Sequence, residues 1–323
     1  MQYTTYPRLV GDIGGTNARF AWLDVPNTPL RDVATYPAAD YPTLQDAMRK
    51  YLADHGKPSP RWCAIGIANP VTGDKVQMTN HHWSFSIGEV QHVLGFERFL
   101  VINDFTALAL SLPGMDPKDL RQVGTGEPVE HAPIGLIGPG TGLGVSGLLP
   151  ATNGPGYVAL NGEGGHVTLA ATDAREEAVI AALRRRFGHP SAERALSGPG
   201  IVNLHAALAE IAGVPAGEPT AAEITGAALA GSDALCVDTV EVFFSLLGTV
   251  AGNLAITLGS RGGMYIGGGI VARMGDRIDR SSFREKFEAK GRFRAYLSAI
   301  PTYVVQAGTS PALTGAARAL DGV

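Results

Sequence analysis

The chain has 323 residues and a mass of 33.7 kDa, room for two domains of about 150 residues each. Hydrophobic residues make up 45% and charged residues 17%, against about 25% in an average protein, so burial can offset the entropy of ordering and intrinsic disorder is excluded. With 26 Lys+Arg and 30 Asp+Glu, a net charge of -4, there is no electrostatic footprint for nucleic acid or an anionic membrane.

The strand and helix signals alternate from the start. Leu9–Ile13 reads as a short strand, Gly14-Gly-Thr-Asn17 as a turn and Arg19–Asp24 as its hairpin partner. Thr43 caps a helix whose apolar face is Leu44, Ala47, Met48, Tyr51 and Leu52. A strand at 63–68 comes next, then a helix opened by Ser86 with Glu89, then a strand at 99–102. This order predicts an α/β class with parallel pairing.

Two prolines and a glycine in Leu112-Pro-Gly-Met-Asp-Pro117 end the next helix and mark a boundary, giving domains 1–113 and 114–304, with a C-terminal segment 305–323 returning to the first. The second half opens with strands at 134–137, 145–149 and 167–169. It then turns helical, with an Asp173–Glu176 capping box and helices over 198–212, 220–230 and 233–258. The stretch 242–260 is long and uncharged, but Ser245, Gly248, Thr249, Gly252, Asn253 and Thr257 interrupt it, which predicts a core helix rather than a membrane span. A strand at 264–266 precedes a last helix with Ser310 and Pro311 at its start and Leu313, Ala316, Ala317 and Leu320 on one face.

Cys63 and Cys236 lie far apart and outside any C-x-x-C, which fits a reducing compartment and excludes a thiolate zinc site. With no apolar leader in residues 1–8, the expected location is the cytoplasm. A homodimer is the default assembly.

Glycine is the unusual residue: 42 of 323, against an average of about 7%. Three clusters stand out, and each is a place where bare backbone can approach a ligand. The turns Gly11-Asp12-Ile-Gly14-Gly15-Thr16-Asn17 and Gly138-Pro-Gly140-Thr141-Gly142-Leu-Gly144 lie between strands, suit phosphate groups and share one theme about a domain apart. Gly267-Gly268-Gly269 comes after a strand and suits a flat ring. Asp12 beside expected phosphates could hold hydrated Mg²⁺ through water. No Walker A signature exists, and Gly142-x-Gly144-x-x-Gly147 lies in a strand rather than opening a helix, which excludes a dinucleotide fingerprint. His81 and His82 lack metal-ligand spacing.

Asn103-Asp104 falls at the carboxyl end of a strand, where open α/β sheets bind ligands. Asp104 there is either a helix cap or a general base taking a proton from an attacking hydroxyl. Glu163-Gly-Gly-His166 can present two polar side chains to one small polyol, and Glu193 stands in a short polar turn.

Taken in order, Gly11-Asp-Ile-Gly-Gly-Thr-Asn-Ala-Arg19, Met78-Thr-Asn80, Ile102-Asn-Asp-Phe-Thr-Ala107, Gly140-Thr-Gly-Leu-Gly144, Gly162-Glu-Gly-Gly-His166, Ser191-Ala-Glu-Arg-Ala-Leu-Ser-Gly-Pro-Gly200 and Ile266-Gly-Gly-Gly-Ile270 resemble the bacterial glucokinase family over most of the chain. The resemblance implies a two-domain actin-like ATPase fold, related to ribonuclease H, with a cleft holding glucose and ATP. It implies Asp104 as catalytic base and Asn103, Asp104, Glu163, His166 and Glu193 as sugar ligands. The phosphates fall to Gly11, Asp12, Gly14, Gly15, Thr16, Asn17, Gly140, Thr141 and Gly142, and the adenosine to Gly267, Gly268 and Gly269. ATP and Mg²⁺ are the implied cofactors. Two distant cysteines cannot form the zinc motif of the related repressor/open-reading-frame kinases, and the stretch before Gly11 is too short for the helix-turn-helix of the sugar-responsive repressors. An actin-like ATPase without a sugar substrate, a non-catalytic sugar-binding module and a kinase of another hexose such as mannose are the competing readings.

Overall fold

Apolar residues in the first strand face both sides of a sheet: Leu9 and Ile13 enter one core, Val10 the other. The computed structural model describes residues 4–306, 308 and 311–321, and the chain separates into two units. The first holds residues up to Met115, Ala151–Asn161 and the C-terminal helix; the second holds Asp116–Pro150 and Gly162–Gln306.

The first unit begins β1 (Arg8–Ile13), β2 (Asn17–Leu23), β3 (Arg31–Pro37), α1 (Leu44–Asp54), β4 (Trp62–Ile67), the small ribbon β5 (Lys75–Gln77) and β6 (Ser84–Ser86), α2 (Ile87–Leu94), β7 (Arg98–Asn103) and α3 (Asp104–Ser111). Its sheet has the order β3-β2-β1-β4-β7, with β1, β4 and β7 parallel and the β1–β2 hairpin antiparallel. Thr43 caps α1 through the Asp46 N–H, and Leu44, Ala47, Met48 and Tyr51 are buried beneath it as expected. Ser86 caps α2 through the Glu89 N–H. Strand β3 escapes the sequence reading because most of its residues are exposed and no apolar alternation marks it.

The second unit runs β8 (Leu120–Val123), β9 (Ile134–Pro139) and β10 (Leu143–Pro150). The next strand, β11 (Tyr157–Asn161), falls by sequence in the second domain, but it groups with the first unit, where the Thr106 hydroxyl donates to Asn161 Oδ1 at 2.8 Å. Helices α4 (Ala174–Phe187), α5 (Gly198–Ala212), α6 (Ala221–Ala230) and α7 (Ala234–Leu258) come next, then β12 (Met264–Ile266), α8 (Gly269–Arg273), α9 (Phe283–Glu288), α10 (Arg294–Ser298) and β13 (Thr302–Val305). Within this unit the strands run in the order β10-β9-β12-β13-β8. The predicted strand at 167–169 is absent. That segment leaves a short turn at Gly164–His166 and makes only an isolated bridge, Thr168 with Ser191, because no neighbouring strand offers it a ladder.

Helix α7 is long and apolar enough to cross a bilayer, yet it is a core helix: Phe243, Phe244, Leu246 and Leu247 are fully buried. Its glycines explain its interrupted composition. A Cβ at Gly248 would stand 2.2 Å from the Phe283 carbonyl oxygen and one at Gly252 2.5 Å from that of Phe287, so α9 lies directly on the α7 backbone.

The first unit is completed by α11 (Pro311–Ala319), which with the following Leu320 buries Leu313 and Ala316 against Val10 and Ala64 of the sheet. Pro311 opens this helix; the proposed cap Ser310 lies outside the described residues. Arg8, 4% exposed, clamps the C-terminal end through Asp321 at 2.6 Å, and Arg318 donates to the Leu110 carbonyl at 3.1 Å.

One buried charge pins the second unit. Asp173 caps α4 through the Glu176 N–H, but the Glu176 side chain does not close a capping box on it: it accepts from the N–H and hydroxyl of Thr172, each at 2.7 Å, and from the Ser245 hydroxyl at 2.6 Å. Lys286 Nζ lies 3.1 Å away. Burial alone would push the Glu176 carboxyl up, but these donors outweigh it and hold it below the ordinary value of 4.5. A depressed carboxyl stabilises the fold above its unfolded pKa and ceases to do so as pH falls through the folded one. Glu176→Gln is therefore expected to be less stable than wild type at neutral pH, with the gap closing as pH drops below 4.5; urea midpoints across that range check it, and a pH-independent gap refutes it.

Candidate active site

The three parallel strands of the first unit end abreast: Ile13, Ile67 and Asn103 are register partners. The segments leaving these strands are therefore gathered at one sheet edge. After β1 comes the turn Gly14-Gly15-Thr16, closed by the Gly14 N–H on the Asn17 carbonyl at 2.9 Å. Gly15 lies against the 79–80 loop, where a Cβ would approach the Asn80 carbonyl oxygen to 2.9 Å. After β4 the Ala68 N–H returns to the Ile13 carbonyl at 3.0 Å, and the Oδ1 of the next residue, Asn69, accepts from the Thr79 N–H and hydroxyl at 3.1 and 2.7 Å.

After β7 comes Asn103-Asp104. Asn103, not Asp104, is the cap of α3: its Oδ1 accepts from Phe105 N–H at 2.9 Å and Thr106 N–H at 3.3 Å, because Asn103 keeps extended dihedrals while Asp104 is already helical. Asp104 Oδ1 shares the Phe105 N–H at 2.9 Å, which orients the half-buried carboxylate in the first helical turn. Gly66 admits this helix, since a Cβ there would come within 3.0 Å of Ala107 Cβ.

Asp12 faces Arg19 across the hairpin, Arg19 Nη1 standing 3.3 Å from its Oδ2. Arg19 and Asn69 are not singled out by sequence; pairing distance along the hairpin and the end of β4 are the available signals. His81 and His82 stack on each other at 4.2 Å beside Trp83. No cluster of three or more metal-ligating side chains occurs among the described residues.

In the second unit the turn Gly140-Thr141-Gly142 joins β9 to β10, the Gly140 N–H donating to the Gly142 carbonyl at 2.8 Å. Gly142-x-Gly144-x-x-Gly147 lies in this turn and in β10, as the strand reading requires. The Glu163–His166 turn sits flush on β10: a Cβ at Gly165 would stand 2.1 Å from the Leu143 carbonyl oxygen and one at Gly164 2.7 Å from Val145 Cγ1. Glu163 and His166 are left exposed on either side of those glycines. Glu193 Oε2 accepts from the Leu143 N–H at 2.9 Å, so Glu163, His166 and Glu193 are arranged around one residue of β10.

Gly267 returns its N–H to the Ile137 carbonyl at 2.8 Å, and Gly268 takes a φ of 76° with its Cα so near β9 that a Cβ would lie 2.3 Å from the Pro139 carbonyl oxygen. Gly269 is not loop but the first residue of α8. These turns border a cavity of about 660 Å³ whose walls are Gly140 and Thr141, the start of α5 at Gly198 and Pro199, the α6 residues Ala221, Ala222, Thr225, Gly226 and Leu229, and Gly269, Ile270 and Arg273 of α8.

A family model described as Glucokinase matches residues 9–322. The chain belongs to the glucokinase family. It is 55% identical, over 98% of its own length and 95% of the other, to "Glucokinase" of Aromatoleum aromaticum. Among solved structures it matches a glucokinase from an Antarctic psychrotroph at 35% identity and a TM-score of 0.91, covering 100% of both chains. A ROK family glucokinase from Streptomyces griseus, solved with glucose and AMPPNP, shares the fold at a TM-score of 0.62 and 19% identity, with 97% of this chain and 98% of that one covered. The actin-like ATPase fold class expected from sequence is thus the fold of this family.

The cap assignment has a measurable consequence. Asn103→Ala is expected to lower stability by about 1 kcal/mol, with Asn103→Asp, which keeps the acceptor, recovering most of it. Chemical unfolding curves decide this, and equal stability of all three would mean that the cap carries no weight.

Proposed function

We infer that this chain is an ATP-dependent glucokinase, transferring a phosphoryl group from Mg-ATP to the 6-hydroxyl of glucose to give glucose 6-phosphate and ADP. The observation that carries the reading is the Asn103-Asp104 pair at the end of β7, with the Asp104 carboxylate oriented by the Phe105 N–H, in a chain of the glucokinase family. Asp104 accepts the proton of the sugar hydroxyl as its oxygen bonds to the γ-phosphorus and the bond to the ADP oxygen breaks. Asn103, Glu163, His166 and Glu193 are assigned to the sugar hydroxyls, the carboxylates accepting and the imidazole able to donate.

Gly11, Asp12, Gly14, Gly15, Thr16 and Asn17, and Gly140, Thr141 and Gly142, are assigned to the phosphates. The cavity bordered by Gly140, Thr141 and Gly269 is assigned to the nucleoside, since its small and apolar walls leave room for a purine and its ribose. Magnesium fits these residues together with the nucleotide. With no carboxylate cluster among the described residues and Oδ2 of Asp12 facing Arg19, the metal would be carried by the nucleotide phosphates and held by Asp12 through water. It would neutralise phosphate charge. Glucose and ATP are the partners in this reading, and a homodimer in the cytoplasm completes it, supported by the prevalence of two-fold dimers and by the buried, free Cys63 and Cys236.

ADP release from Mg-ATP is expected with glucose and not without sugar, tested beside mannose, fructose, N-acetylglucosamine and glycerol. Equal release without sugar would instead favour an actin-like ATPase, and a preference for mannose would reassign the hexose. Asp104→Asn is expected to retain glucose binding by calorimetry while turnover falls by about 10² or more; turnover near wild type removes the general-base role.

A further inference from the structure

Glu193 is held by the glycine turn that it would have to serve. It lies in the short turn Ala192–Arg194, half-buried. Its Oε2 accepts the N–H of Leu143, the first residue after Gly140–Gly142, at 2.9 Å. The same oxygen stands where Gly142 has no room for a side chain, 2.5 Å from a Cβ position there. One further bond ties the segment to the turn, and another braces the segment itself. The Gly198 N–H donates to the Gly140 carbonyl at 2.8 Å, and the Ser197 hydroxyl donates to the Glu193 carbonyl at 2.8 Å while capping α5 through Gly200. The Glu193 side chain therefore meets the turn directly through Oε2, its backbone is linked to the turn only through Ser197 and Gly198, and Oε1 has no partner among the described residues.

A carboxylate can accept on both oxygens at once. We propose that Glu193 is a positioning residue coupling the two substrates: Oε2 shapes the Gly140–Gly142 turn for the phosphates of the nucleotide, and Oε1 receives a sugar hydroxyl. The proposal rests on the proposed function, in which this turn takes phosphate and Glu193 takes sugar. Sugar on Oε1 restricts the Glu193 side chain, so the turn is already ordered when the nucleotide arrives. Linkage then requires each substrate to tighten the other.

The test uses Mg–AMPPNP titrated calorimetrically into the full chain, with and without glucose. Glu193→Ala and Glu193→Gln both remove the charge, but only Gln keeps an oxygen able to accept from Leu143, so comparing them isolates the contact. In the absence of sugar, Glu193→Ala is expected to bind AMPPNP about tenfold more weakly than Glu193→Gln, the weight of one hydrogen bond in the turn. Glu193→Asp, too short to reach Leu143, should behave like Ala, which keeps the test valid should the Ala variant fold poorly. Glucose should tighten AMPPNP several-fold in wild type and not in Glu193→Ala. Equal AMPPNP affinity across the Glu193 variants, with weakened binding in Thr141→Tyr, overturns the coupling and leaves the phosphate turn standing. Unchanged affinity in Thr141→Tyr as well takes down the turn assignment and the coupling with it.

Discussion

Past the line where Ile13, Ile67 and Asn103 stand abreast, the backbone of the first unit has no ladder left to bond to, yet its N–H and C=O groups still need partners. Each strand resolves this differently. The hairpin after β1 closes on itself at Gly14, the loop after β4 returns an N–H to Ile13 and fixes Asn69 on Thr79, and β7 passes into a helix whose free N–H groups are met by Asn103. The polar groups gathered there are the ones that satisfying the backbone requires, and Asp104 stands among them because it is the first helical residue.

The second unit meets the same constraint with the same central pairing, an antiparallel hairpin beside a run of three parallel strands. Ile137, Ile266 and Val304 are abreast on β9, β12 and β13, and Gly267 returns its N–H to Ile137 as Ala68 does to Ile13. The residues beyond the strand ends differ in kind. After β4 and β7 the first unit places amide and carboxylate side chains there, whereas after β12 the second places Gly267 and Gly268, with Gly268 pressed against Pro139 so tightly that any side chain is excluded. The same pairing thus presents side-chain acceptors after β4 and β7 and bare backbone after β12.

Much of this was legible in the sequence because it is local. Helix starts are written in residues a few positions apart, as with Thr43, Ser86 and Asp173, and buried strands such as β4 and β9 are unbroken apolar runs. The repeated glycine theme of the two hairpins could be read for the same reason. Strand β3 could not, since it lies at the sheet edge with most of its side chains exposed, and α8, α9 and α10 are too short to show a helical period. Choosing between Asn103 and Asp104 as the cap required dihedral angles. The bond from Leu143 to Glu193 joins residues fifty positions apart, and no spacing announces it.

The return of α11 to the first unit bears on how the chain is made. Val10, Ala64 and Leu23 on one face of the first sheet are covered by Leu313, Ala316 and Leu320, which follow every residue of the second unit in the chain. The second unit, by contrast, draws its core from Val123 to Val304 and has all of its residues before α11 emerges. During synthesis the second unit can therefore reach its final packing while the first still exposes one face of its sheet, until α11 emerges to cover it.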